Sequence, residues 1–201
     1  MKMTYIIIGI ILAGGLVFCL TSCGNKSTAS DKQSVVDQDT TIPKVHQTKE
    51  TAFEGLRNMA FSATPEQLGL SLPTDKTIVY GIIMDWEMGG ATASTVAYQT
   101  GDASLYLSSG SGVIGGGQHK NINSAAKQFV NLAQTFLVKA SKTKTKSLPL
   151  KDEVKFYFLT NEGIYVGKEL MKNFENNSSS WLKLFEEGNI VLAELRKTSE
   201  E

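Results

Sequence analysis

The stretch Lys76-Thr77-Ile78-Val79-Tyr80-Gly81-Ile82-Ile83-Met84-Asp85-Trp86, together with residues 87–108, decides the fold. β-Branched and aromatic residues crowd it, as a pleated, half-buried surface favours. Gly89-Gly90 marks a turn over residues 87–91, and residues 92–99 read as a second strand. Thr100-Gly101-Asp102 is another turn, and residues 103–108 are a third strand. Strands joined by turns this short run antiparallel.

Helices flank these strands. In residues 121–140, Ile122, Ala125, Ala126, Phe129, Ala133, Phe136, Leu137 and Ala140 recur at three and four. The resulting stripe predicts a helix lying on the sheet. Residues 141–151 read as a Lys-rich loop. Residues 153–160 alternate Val154, Phe156 and Phe158 with Lys155 and Tyr157, and Asn161-Glu162-Gly163 turns them into residues 164–167 as a hairpin. Residues 181–195 form a last helix with Trp181, Leu184, Phe185, Val191, Leu192 and Leu195 on one side, where Gly188 allows close packing. Upstream, Phe53, Leu56 and Ala60 define a short helix over residues 51–61. Thr64-Pro65-Glu66-Gln67 looks like a cap that starts one more turn before Pro73. The expected fold is α+β, an antiparallel sheet with helices packed on it, in the order α-β-β-β-α-β-β-α. That order is similar to type III secretion chaperones, a likeness of order alone that transfers no functional residue.

The N-terminus carries the clearest functional signal. Lys2 is the only charge before Cys23, and residues 5–20 are apolar and uncharged. That run is short for a membrane-spanning helix, which needs about 20 residues, and suits a secretory signal core. Leu20-Thr21-Ser22-Cys23 resembles the bacterial lipobox. The resemblance implies a signal peptide over residues 1–22, cleavage before Cys23, acylation of its sulfur and an extracytoplasmic position on the cell membrane or outer membrane. Cys19 is a poorer acceptor, because bulky Phe18 precedes it inside the apolar run. An uncleaved membrane anchor is the rival reading. Residues 24–50 are rich in Ser, Thr, Asp, Gln and Lys and read as a disordered tether. Residues 51–201 read as one domain.

Charge adds an exclusion. Lys+Arg and Asp+Glu both number 20, so no global field attracts nucleic acid. Apolar residues make up 41% of the chain, enough for a real core. With Cys23 acylated, no second cysteine would remain for a disulfide.

Among candidate sites, residues 108–120 stand out. Gly110, Gly112 and Gly115 match G-x-G-x-x-G, but Gly116 and Gly117 follow where a helix should open, and the next acid is Asp152. The dinucleotide pattern needs both features. Gly112 and Gly117 sit at P-loop spacing, yet Gln118-His119 replaces the phosphate-binding Lys-Ser. A looser anion site, built from backbone N–H groups beside His119, survives these exclusions. So does the plain alternative, in which glycine provides positive φ and close approach. Asp85 and Glu87 share one face by alternation and offer an acid–base pair, or a cation site with Asp102 or His119. Acids at a strand end more often face water. Ser124 and Lys127 form S-x-x-K without the companion motifs of the penicillin-binding enzymes. His46 falls in the tether, and His119 alone makes no zinc site. Lys139, Lys142, Lys144, Lys146 and Lys151 form a basic run suited either to anionic lipid or to plain solvation.

The stretch Gly81 to Phe129, with Met84-Asp85-Trp86, residues 101–106 and residues 112–116, is similar to an uncharacterised family of bacterial proteins, a likeness extending through residues 155–163. It implies no activity. The expected function is a non-enzymatic binding or interaction domain in the cell envelope. The alternative is a small-anion or nucleotide binder, or an enzyme, centred on residues 110–119. No cofactor is expected. The expected partners are membrane lipid through acylated Cys23 and an envelope protein.

Overall fold

The β-rich runs pair into one seven-stranded antiparallel sheet. The computed structural model of the chain describes residues 51–198, which fall within one compact unit, Gln47–Glu201. The expected signal peptide, Cys23 and the expected tether with His46 lie outside the described residues. Helix α1 (Ala52–Ser62) precedes strands β1 (Val79–Met88), β2 (Ala91–Tyr98), β3 (Ala103–Leu107) and β4 (Gly112–Val113). Helix α2 (Lys120–Phe136) leads to β5 (Ser141–Thr143), β6 (Glu153–Thr160) and β7 (Gly163–Leu170). Helices α3 (Met171–Glu175) and α4 (Leu182–Thr198) complete the described chain. The strand order is β4-β3-β2-β1-β6-β7-β5, with every pair antiparallel. The chain is therefore α+β, as expected.

Local chemistry sets the element ends. Thr51 caps α1 in a reciprocal box with Glu54, satisfying two otherwise orphan N–H groups. Gly89 and Gly90 both take positive φ, 63° and 97°, the requirement of the tight turn that matches strand twist. Thr64 and Gln67 exchange cap hydrogen bonds, and the one further turn expected there ends at Gly69, φ 69°.

Helix α2 has to carry the chain from the β4 edge to the β5 edge. Its 17 residues span about 25 Å, close to the six strand intervals, about 29 Å, of the sheet's width. Both edge strands are short: two residues in β4 and three in β5. Edges this short resist pairing with other chains. The segment 141–151, expected to be loop throughout, thus begins as an edge strand, and its Ser-Lys-Thr sequence carries no apolar period to announce it.

The sheet is covered on both faces. Ile82, Met84, Ala93, Leu105, Phe156 and Phe158 meet α2, α3 and α4 on one side. Ile83, Val96, Tyr106, Tyr157 and Leu159 meet α1 and the leucines of residues 68–72 on the other. A bulge between Val79 and Gly81 turns both Tyr80 and Gly81 to the α1 side. Trp181 stacks on Phe156 at 5.6 Å and lies directly over Gly167. Gly188 lets α4 settle on Met84 and Phe129, the close packing expected of it. No helix among the described residues is long and apolar enough to cross a membrane.

Candidate functional site

Asp85 does not face water. It sits in the middle of the α1-side core, fully buried, and its carboxylate is shared between two elements. Arg57 of α1 donates from Nε at 3.1 Å and from Nη2 at 2.5 Å. Ser94, its neighbour across β2, donates its hydroxyl to the other oxygen. Arg57 also lies over the rings of Phe61 and Tyr157, and its Nη1 donates to the Lys146 carbonyl at 2.7 Å. This corrects the reading of Asp85 as a solvated strand-end acid. Strand β1 continues to Met88 and is central in the sheet, so position 85 is interior. The missed partner was legible in part: Arg57 stands on the apolar stripe of α1, four residues after Phe53. A buried cation there requires an anion.

Glu87 shares the face of Asp85, but its own carboxylate is held by backbone. It accepts from the N–H groups of Gly90 at 2.5 Å and Asp152 at 2.8 Å. The Asp152 N–H, then that of Gly90, hold its pKa below the ordinary glutamate value, with Lys151 adding attraction. Neither carboxylate meets Asp102 or His119: among the described residues no three His, Cys, Asp or Glu side chains gather where they could hold a metal ion.

The glycine-rich segment is shaped by what presses on it. A side chain at Gly112 would strike the Leu105 carbonyl, at Gly116 it would strike Leu195, and at Gly117 it would strike the Asp102 carboxylate. Gly115 adopts a left-handed conformation, φ 73°, and donates to Ser104 Oγ, while Gly110 turns the chain at φ 101°. His119 spends its backbone N–H on the Gly116 carbonyl, and its side chain caps nothing at the start of α2. Asp102 thus places an acid against the loop, which disfavours an anion there. The sheet's width also separates this loop from Asp85 and Glu87, since β2 and β3 intervene between β1 and β4. Ser124 and Lys127 are both exposed on α2, and the serine hydroxyl accepts from Gln128, not from the lysine.

A cleft of about 340 Å³ opens beside this segment, on the α4 side of the sheet. Ala93 and Leu105 form a buried floor, Leu107, Val113 and Leu192 the walls, and Arg196 lies at its border. Ala93 leaves room because it is small between Trp86 on β1 and Leu107 on β3. The volume is at the small end of ligand pockets, which run from roughly 300 to 1,000 Å³.

No family model, no curated protein and no solved structure matches this chain. The likeness to an uncharacterised bacterial family therefore gains no support from them.

Proposed function

We propose that this chain is a bacterial lipoprotein, acylated on Cys23, whose domain works in the cell envelope by binding and not by catalysis. The observation that carries the anchor is Leu20-Thr21-Ser22-Cys23 after an uncharged apolar run with a single N-terminal lysine. The binding reading is supported by where the polar candidates go. Asp85 is taken up by Arg57 and Ser94, and Glu87 by two backbone N–H groups. Gly112, Gly116 and Gly117 answer to packing and Gly110 and Gly115 to positive φ, so the groups that suggested chemistry in the sequence are engaged in holding the fold. The test is metabolic labelling with a radioactive fatty acid. Label should enter the wild-type protein and the Cys19→Ser variant and be lost in Cys23→Ser. Label persisting in Cys23→Ser would refute the assignment.

A further inference from the structure

The Lys-rich segment before β6 is an ordered loop, pinned from beneath. Arg57 donates to the Lys146 carbonyl, Tyr157 to the Ser147 carbonyl, and Lys155 to Ser147 and Leu148. With three successive carbonyls turned inward, Leu148 and Leu150 are left at the surface, 40% and 70% exposed. Residues 144–151, Lys-Thr-Lys-Ser-Leu-Pro-Leu-Lys, hold three lysines and no acid.

The neighbouring charges sharpen the contrast. Glu87 is held by the Gly90 and Asp152 N–H groups, and Glu153 by the Leu150 N–H, Lys155 and Lys168. Lys146 lies over Phe61. Lys144 and Lys151 are exposed, and Lys151 lies near enough to Glu87 to attract its carboxylate. Asp152 is next in the chain and exposed, and Asp85 beneath the loop is paired with Arg57.

The point where the chain enters the domain favours one occupant. The tether reaches the domain at Thr51, the cap of α1, and Arg57 of that helix touches the loop. Six residues of helix separate the two points, about 9 Å. The chain therefore arrives on the side of the sheet that carries the loop. A surface combining lysines with exposed leucines suits the boundary of headgroups and acyl chains.

We propose that residues 144–151 form a membrane-facing surface that takes anionic lipid headgroups, with Leu148 and Leu150 entering the interface. The nearness of a bilayer rests on the lipoprotein reading, while the affinity of the surface is measurable without the anchor. The domain spanning residues 47–201, its fold checked by circular dichroism, is sedimented with vesicles of phosphatidylglycerol and, separately, of phosphatidylcholine. It should bind the first and ignore the second. Lys144→Gln with Lys151→Gln should lower the partition about 25-fold, near fivefold for each lysine. Leu148→Ser with Leu150→Ser should lower it as well, while Lys120→Gln with Lys127→Gln, on exposed positions of α2, should leave it unchanged. Failure to bind phosphatidylglycerol, or equal loss in the α2 pair, overturns the proposal. If the native chain carries lipid on Cys23 and the domain still ignores vesicles, the surface falls alone. If the domain binds and the native chain is unmodified, the anchor falls alone.

Discussion

Arg57 and Asp85 form a buried ion pair that fastens α1 to the centre of the sheet, with side chains 6% and 0% exposed. The carboxylate receives both nitrogens of one edge of the guanidinium and the Ser94 hydroxyl. The guanidinium's other face is covered by aromatic rings. Both charges are withdrawn from water, so each depends on the other.

Asp85→Ala should therefore destabilise the domain by about 3–5 kcal/mol, because it strands a buried cation. Arg57→Met with Asp85→Leu should lose much less, since no charge is left unpaired. Urea unfolding of the three proteins checks this. A single variant that is no worse than the double would contradict it.

Two glycines should respond differently to alanine. At Gly167 the new carbon would run into Trp181, a ring wedged among Phe136, Phe156 and Phe158. That ring has no room to yield, and Gly167→Ala should lose about 1–3 kcal/mol. At Gly188 the nearest atom is Met84 Sδ at 2.6 Å, the end of an adaptable chain. Phe129 Cζ also lies at 3.0 Å, but alanine gains about 1 kcal/mol of helix propensity there, so Gly188→Ala should lose less than Gly167→Ala. Thermal unfolding ranks the two.

Acid should weaken the fold partly through Glu87. Its folded-state pKa lies below the ordinary value of 4.5, so the unfolded chain binds the proton first as pH falls. Its contribution is present above pH 4.5 and disappears as pH drops through the lower, folded value. Unfolding measured from neutral to acid pH should show a shallower loss in Glu87→Gln than in wild type.

The glycine-rich segment should ignore phosphate. Titrating the domain with inorganic phosphate should leave the amide resonances of residues 110–120 in place, because Asp102 lies against Gly117. Saturable shifts confined to those residues would restore the anion site.

Much of this architecture was legible because its long elements carry strong periods. The apolar stripe from Ile122 to Phe136 is α2, and the Gly89-Gly90 turn is where the first hairpin closes. Three elements left no such trace: β4 with two residues, β5 with a polar three, and α3 with five. The strand order was also out of reach. β1 pairs with the distant β6, setting Asp85 against Lys155, and local periodicity says nothing of such partners. The buried role of Asp85 failed for the same reason, because its cation comes from another element. The cleft depends on Ala93 being small between Trp86 and Leu107, residues that meet only after β1, β2 and β3 pair.

Intact mass spectrometry of the protein extracted from membranes is the sharpest check on the proposed attachment through Cys23. The expected species begins at Cys23 and is heavier than its sequence by a diacylglycerol group, with or without a further acyl chain. An unmodified chain beginning at Met1 would contradict it.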